Sequence, residues 1–323
     1  MHVLITGGAG FIGSHLAEYH LVCGDSVHVV DNLSTGSFDN IRPMLGNSAF
    51  RFDEADILTW DGLKNAVGWA DRIYHMAAIV GVKKVLADPE AVMATNMAGT
   101  ERVLRAIHTD RWNPQVVIAS SSEVYGFNTN HSFSETDDVV LRSGGQLRWC
   151  YAVTKLADEF LAFAYVRKYG MNVVVARLFN TIGPHQTGQY GMVVPTFIKQ
   201  AVANTPLTVY GDGTQTRSFC DVRDTVVALD LLASSPATKG EIVNVGNNQE
   251  IAIRDLAQLI SEQANSNAPL HFVPYAEAYG VEFEDMTHRR PDLTKLHALT
   301  GFNPKWSLIQ TIDDLIRLER DKH

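Results

Sequence analysis

An α/β fold built on a doubly wound parallel sheet is what this sequence predicts. Three observations carry that prediction. The first half alternates short β-branched runs with helical patterns, a glycine-rich turn joins the first run to the first helix, and 46% hydrophobic with 20% charged residues matches an ordinary globular chain. At roughly 150 residues per domain, 323 residues leave room for the sheet and a smaller C-terminal lobe.

The elements follow in order. Strands are expected over His2–Thr6, Ser26–Asp31, Phe50–Phe52, Arg72–His75, Gln115–Ser120 and Asn172–Leu178. Between the first two, Phe11–Cys23 sets Ile12, Leu16 and Tyr19 or His20 on one helical face, and Gly24 suits the residue just past the helix end. Ala91–Ile107 and Tyr151–Tyr169 read as long helices whose apolar surface is wider than a single helix on a sheet requires, so a homodimer through these two helices is expected. Beyond Asn180 the pattern changes to the Gly/Gln-rich stretch Gly183-Pro184-His185-Gln186-Thr187-Gly188-Gln189-Tyr190-Gly191, followed by short strands and helices. The first unit is therefore placed at 1–180 and the second at 181–323, partly interleaved with the sheet. No internal repeat or low-complexity tract interrupts them.

Composition excludes several classes. Lys+Arg 27 against Asp+Glu 36 gives a net charge of −9, which argues against a protein that grips a nucleic acid polymer by neutralising phosphates. No apolar run approaches the roughly 20 residues that span a bilayer, no basic amphipathic stretch suggests membrane attachment, and the first residues lack a signal-peptide pattern. A cytoplasmic protein is expected. Cys23, Cys150 and Cys220 are odd in number and far apart, and the histidines show no metal-ligand spacing, so neither a disulfide framework nor a metal site is expected.

Thr6-Gly7-Gly8-Ala9-Gly10-Phe11-Ile12-Gly13 follows a predicted strand and opens a predicted helix. Glycines so placed permit a tight bend, close approach of a pyrophosphate, and helix–strand packing. The phosphates then meet the free N–H groups of a helix N-terminus. Asp31 ends the second strand, where a carboxylate accepts from an adenosine ribose and repels a 2′-phosphate. A Rossmann-type site for NAD rather than NADP is the expectation, with Asp56 and Ile57 placed to line the adenine.

Tyr151 and Lys155 lie four residues apart on one helical face. A phenol titrates near 10; a lysine held beside it favours the phenolate, giving a base for a hydroxyl proton while hydride leaves the same carbon. Ser120-Ser121-Ser122-Glu123-Val124-Tyr125-Gly126 stands at the C-terminal end of a predicted strand, the edge where such sheets bind ligands, and a serine hydroxyl there is placed to share the proton with Tyr151.

These segments, with Asp31-Asn32-Leu33-Ser34-Thr35-Gly36, His75-Met76-Ala77-Ala78, Asn96, Arg177-Leu178-Phe179-Asn180-Thr181, Tyr210-Gly211-Asp212-Gly213 and Thr216-Arg217-Ser218-Phe219, make the chain resemble the extended short-chain dehydrogenase/reductases that modify nucleotide sugars. The resemblance runs over essentially the whole sequence. It implies oxidation of a sugar at C4, chemistry on the ketone, and usually return of the hydride. It also implies a cofactor site of Gly7, Gly10, Phe11, Ile12, Gly13, Asp31, Asn32, Ser34, Asp56, Ile57, Ala77 and Asn96, with Tyr151 and Lys155. Ser122 and Tyr151 polarise the 4-oxygen, Lys155 holds Tyr151 and the nicotinamide ribose, and the nucleotide sugar meets Asn180, Val193, Tyr210, Arg217 and Arg289. Arg217 pairs with the pyrophosphate, a match natural to a guanidinium fork. His185 and Gln186 are placed near the nucleotide, Trp149 near the sugar pocket and His288 beside Arg289.

The subgroup turns on Glu123. Sugar 4-epimerases resembling this chain carry a small residue there, 4,6-dehydratases carry Asp-Glu, and UDP-glucuronate decarboxylases carry Ser-Glu or Thr-Glu, as Ser122-Glu123 does. Arg148-Trp149-Cys150-Tyr151, Phe219-Cys220-Asp221-Val222-Arg223-Asp224, and Tyr279-Gly280 with Phe283-Glu284-Asp285 and His288-Arg289-Arg290-Pro291 look like the decarboxylase of the bacterial polymyxin-resistance pathway. That likeness implies a catalytic part for Glu123 and Arg289. A 4-ketone lies β to the C6 carboxylate, so CO₂ loss leaves an enolate that Tyr151 and Ser122 can stabilise. UDP-glucuronate decarboxylation is the first expectation. The Gln186–Gly191 stretch and the segment from Phe283 to Pro291 also look like bacterial 4-epimerases, which keeps UDP-sugar 4-epimerisation as the alternative. Dehydration ranks lower because the Asp is missing. A non-catalytic NAD(H)-binding protein ranks lowest, since such proteins lose the Tyr/Lys pair or the Ser.

Overall fold

The computed structural model describes residues 1–109, 113–141, 146–188, 192–279 and 286–322. The first half runs β1 (His2–Thr6), α1 (Phe11–Val22), β2 (Ser26–Asp31), α2 (Phe38–Ile41), β3 (Phe50–Glu54), α3 (Leu63–Trp69), β4 (Arg72–His75), α4 (Val82–Ala87), α5 (Pro89–Thr109), β5 (Gln115–Ser121), α6 (Cys150–Tyr169) and β6 (Val173–Leu178). All six strands pair in parallel, Thr6 standing opposite Val30 on one side and His75 on the other, and Ser121 opposite Leu178. Successive strands step outward from β1 to β2 and β3, then β4 returns to the other side of β1. The reversal leaves a crevice beyond the strand ends between β1 and β4, where ligands of such sheets bind.

The second half runs β7 (Thr181–Ile182), α7 (Val193–Val202), β8 (Leu207–Tyr210), β9 (Thr216–Ser218), β10 (Cys220–Asp221), α8 (Val222–Ser234), β11 (Ile242–Val245), β12 (Glu250–Ala252), α9 (Ile253–Gln263), β13 (Leu270–Val273), α10 (Tyr275–Tyr279), α11 (Thr294–Thr300) and α12 (Leu308–Arg320). It is divided between two cores. β11 joins the sheet beside β6 as its seventh strand, and α8 and α11 pack Val222, Val226, Leu229 and Leu296 into the apolar layer that holds Val3, Leu16 and Val29. Phe197, Leu207, Val209, Leu256, Ile260, Ile312 and Ile316 form a separate core from α7, β8, α9 and α12. The result is the expected Rossmann-type sheet with a smaller lobe facing its C-terminal edge.

Local chemistry explains where the elements differ from expectation. α5 begins two residues before Ala91 because Asp88 caps it, accepting from the Ala91 N–H at 3.0 Å, and Pro89 occupies the first turn. Gly24 follows α1 with φ of +83°, the left-handed backbone expected of it. β3 continues to Glu54 and β5 to Ser121. The breadth of apolar surface on α5 and α6 is partly used in packing the two helices against one another. Met97, Val153 and Phe160 nevertheless remain exposed, Phe160 at 71%.

A buried polar tie fixes α6 to the sheet. Glu159 accepts from Arg177 of β6, Nε at 2.9 Å and Nη2 at 2.7 Å, and from the Ser120 hydroxyl of β5 at 2.5 Å. The Arg177 guanidinium also lies 4.7 Å from the Tyr125 ring centre, and the Tyr125 hydroxyl donates to Asn244 of β11 at 2.7 Å. Removing one member leaves a buried charge unpaired. Glu159→Ala is expected to lower the unfolding free energy by about 3–5 kcal/mol, read from urea denaturation.

Candidate active site

A cleft of about 1090 Å³ follows the C-terminal strand edge and is walled by both cores. At one end Gly7, with φ of +70°, turns the chain out of β1; a Cβ there would sit 2.6 Å from the Ala77 nitrogen, and one on Gly13 would sit 2.3 Å from the Gly7 carbonyl. Gly10 precedes α1 without a side-chain cap and no acidic residue enters the first turn, so Phe11 and Ile12 present N–H groups to the cleft. Asp31 is buried, accepting from the Ala9 N–H at 3.0 Å and the Leu33 N–H at 2.8 Å. Burial pushes its carboxyl up and these backbone donors pull against that shift. A Cβ on Gly36 would stand 3.0 Å from Asp31 Oδ2, so the pocket around this carboxylate is tight.

Asn32 donates to Asp56 at 3.2 Å and accepts from the Ser34 N–H at 3.1 Å; Asn32, Ser34, Asp56, Ile57 and Ala77 all line the cleft. Asn96 does not. Its amide accepts from the Ile79 N–H at 2.8 Å and donates to the Ile79 carbonyl and to Thr154 at 3.2 Å, so it braces the loop after β4 from behind. An uncapped helix N-terminus, glycines with no room for a Cβ and an enclosed carboxylate at the second strand end fit a dinucleotide's pyrophosphate and ribose.

Tyr151 in the first turn of α6 and Lys155 one turn on both line the middle of the cleft. The serine that acts on the Tyr151 phenol, pulling it down against burial, is Ser121, whereas Ser122 was expected. β5 runs one residue further than the sequence suggested, and strand alternation turns Ser120 to Glu159 and Ser121 to the cleft. Ser122 begins the short 3₁₀ turn Ser122–Tyr125, is buried, and also borders the cleft. Burial pushes the Tyr151 phenol well above its ordinary value, Glu123 and Asp158 add to the rise, and Ser121 and Arg289 oppose it. The expected depression by Lys155 does not prevail: the buried ammonium donates to Asp158 at 3.3 Å. Behind it, His75 contacts Thr6 at 2.7 Å and Thr100 at 3.1 Å, and burial together with the Lys155 charge pushes the imidazole down to about 3. Tyr151 is therefore a neutral phenol, with its proton in place.

Beyond it Glu123 projects from the 3₁₀ turn. One carboxylate oxygen accepts from Arg289, and the other lies 3.5 Å from Arg148. Burial alone would raise this carboxyl, but Arg289, Arg148 and Arg217 outweigh it and hold it below its ordinary value. Arg289 also donates to Asn180, whose own amide donates to the Ser218 carbonyl at 2.9 Å. Arg217 on β9 is buried and donates to the Thr216 carbonyl at 2.6 Å; Val193 at the start of α7 and Tyr210 at the end of β8 complete this end of the cleft. His185 has φ of +67° and pairs with Ser14 of α1 at 3.0 Å, so it borders the dinucleotide end, and His288 meets Thr216 at 2.9 Å. Trp149 is buried, its ring 4.5 Å from the Arg148 guanidinium carbon. Gln189, Tyr190, Gly191, Gly280, Phe283, Glu284 and Asp285 lie outside the described residues. Among the described residues no acidic, His or Cys cluster could hold a metal ion, and no helix is long and apolar enough to cross a membrane.

Residues 3–246 match the NAD dependent epimerase/dehydratase family. The chain is 37% identical over 319 residues to a UDP-N-acetyl-alpha-D-glucosaminuronate decarboxylase of Bacillus cytotoxicus, covering 98% of this chain and 97% of the relative. It is 36% identical to UDP-glucuronic acid decarboxylase 2 of Arabidopsis thaliana, covering 98% of this chain and 68% of that protein. Among solved structures it is similar to UDP-glucuronic acid 4-epimerase from Bacillus cereus in complex with UDP-glucuronic acid and NAD, with TM-score 0.87, 28% identity and full coverage of both chains.

The lowered Glu123 carboxyl makes a stability prediction. Its pairing contributes above the ordinary carboxyl range and is lost as pH falls through the depressed folded value. Between about pH 6 and about pH 3, wild type should therefore lose about 1 kcal/mol more than Glu123→Gln, measured by urea midpoints at each pH.

Proposed function

Since the chain belongs to the NAD dependent epimerase/dehydratase family, we propose that it is a UDP-glucuronate decarboxylase that works through a transient 4-keto sugar. The observation that carries this reading is the ionised Glu123 bridged to Arg289 beside the Tyr151 phenol. Decarboxylase relatives that match 98% of this chain support it. The enclosed Asp31 supports NAD over NADP. NAD, when bound, supplies a two-electron acceptor for the hydrogen on C4.

Each residue then has a defined task. Gly7, Gly10, Phe11, Ile12 and Gly13 hold the cofactor pyrophosphate, Asp31 its adenosine ribose, and Asn32, Ser34, Asp56, Ile57 and Ala77 the adenine end. Tyr151 and Ser121 share the C4 hydroxyl proton, with Ser122 shaping the same turn. The neutral phenol must lose its proton before it can take one, and the cation Lys155 on the same helix face favours that step to the extent that Asp158 releases its charge. Arg217 receives the substrate diphosphate, while Val193 and Tyr210 wall the nucleotide. Arg289, held by Asn180, faces the C6 carboxylate. With a ketone at C4, the C5–C6 bond breaks, CO₂ leaves, and the electron pair moves to the 4-oxygen as an enolate that Tyr151 and Ser121 stabilise. A proton from solvent then takes the place of the carboxyl group at C5, and return of the hydride to C4 with a proton to its oxygen removes the ketone.

A 4-epimerase is the second reading, favoured by the likeness to solved 4-epimerases, because with NAD to take and return hydride Tyr151 and Ser121 would be the only acid–base groups needed at C4. Incubation with UDP-glucuronate, UDP-N-acetylglucosaminuronate and UDP-glucose separates the two: CO₂ release from a uronate is expected, and an unchanged mass with inverted C4 would replace decarboxylation by epimerisation. Tyr151→Phe should slow turnover by roughly 10²–10⁴-fold with NAD still bound, and normal turnover in that variant would remove the phenol from the reaction. We also propose a homodimer through α5 and α6, supported by Met97, Val153 and Phe160 exposed on one helix pair. Phe160→Glu should halve the sedimenting mass; an unaltered mass places the contact elsewhere.

A further inference from the structure

Glu123 divides its two oxygens between two guanidiniums of different kinds. Arg289 comes from irregular chain ahead of α11, and its Nε has no hydrogen-bond partner among the described residues. Arg148 belongs to the turn Leu147–Trp149 that leads into α6; its side chain is 9% exposed and lies against Trp149, which is itself buried and packed on Phe127 at 5.3 Å. The first cation is carried by irregular chain, whereas the second is stacked on a buried ring.

A sugar carboxylate that takes Arg289 competes with Glu123 for its N–H donors, and the two carboxylates repel one another at close range. The displaced Glu123 would then be a half-buried charge with its main partner gone, a state that favours any other cation able to hold it. Arg148 already touches the second oxygen. A neutral sugar offers Arg289 nothing in exchange, so for it the Glu123–Arg289 bridge stays closed.

Resting on the decarboxylase reading, we propose that Arg148 is a specificity-determining positioning residue: it retains Glu123 while Arg289 passes to the carboxylate of a uronic acid, so that the bridge opens for uronates and not for neutral hexoses. Arg148 acts through Glu123 and bonds to neither the substrate nor the reacting atoms.

The test measures binding of UDP-glucuronate and UDP-glucose by calorimetry to the NAD-loaded enzyme, in a Tyr151→Phe background so that neither sugar is consumed. Wild-type Arg148 should favour the uronate. Arg148→Gln should weaken UDP-glucuronate by about tenfold and leave UDP-glucose within about twofold, and Arg148→Lys should restore most of the loss. Equal weakening of both sugars, no weakening of either, or failure of the lysine to restore the uronate overturns the proposal. The two readings fail separately. An enzyme with Tyr151 intact that releases no CO₂ removes the decarboxylase assignment while the binding ratio still stands or falls alone; equal affinity for both sugars removes the bridge as a selector even if CO₂ is released.

Discussion

Parallel pairing is the constraint from which the rest of this structure follows. Parallel neighbours cannot be joined by a hairpin, so each strand must be followed by a crossover that carries the chain back over the sheet. Every strand therefore ends on the same edge, and Gly7, Asp31, Ala77, Ser121 and Asn180 all emerge there although they span most of the first 180 positions. The reversal of strand order between β1 and β4 parts two of these loops, and the dinucleotide groove opens between them.

Electrostatics in the groove is decided by burial first and by neighbours second. Tyr151 and Glu123 are close together and both enclosed, yet they settle in opposite protonation states. The phenol has one hydroxyl partner and two nearby carboxylates, so desolvation prevails and it stays neutral. The carboxylate has three guanidiniums, so it stays charged. Pairs of groups whose environments drive them apart in this way are the usual mark of divided acid–base labour.

The sheet, its strand order around the glycine turn and the cofactor end were legible because each depends on local pattern: β-branched runs, glycines at fixed spacing and an acid at a strand end. The family was legible for the same reason. What escaped depends on register and on three-dimensional proximity. A single extra residue in β5 exchanges Ser121 for Ser122, since strand side chains alternate faces. Asn96 carries the right chemistry for a ligand contact but faces Ile79 and Thr154 inside the wall. Lys155 stands at the expected spacing from Tyr151, but Asp158, three residues further along the same helix, engages it instead. Arg148 stood in a decarboxylase-like segment without a role of its own; only the fold turns it onto Glu123.

The path of the second half has a mechanical side. After β6 the chain leaves the sheet for α7 and β8, returns with α8 and β11, leaves again for β12, α9 and β13, returns at α11 and leaves once more for α12. The two cores are thus stitched by several strands of backbone instead of a single linker. A joint with one connection can swing as a hinge, whereas a seam with several can only shear by the small amounts that side chains absorb. Several connections would then hold the glycine turn and the arginine-lined end at a nearly fixed separation, leaving loops and individual side chains at the rim as the parts free to move around a ligand.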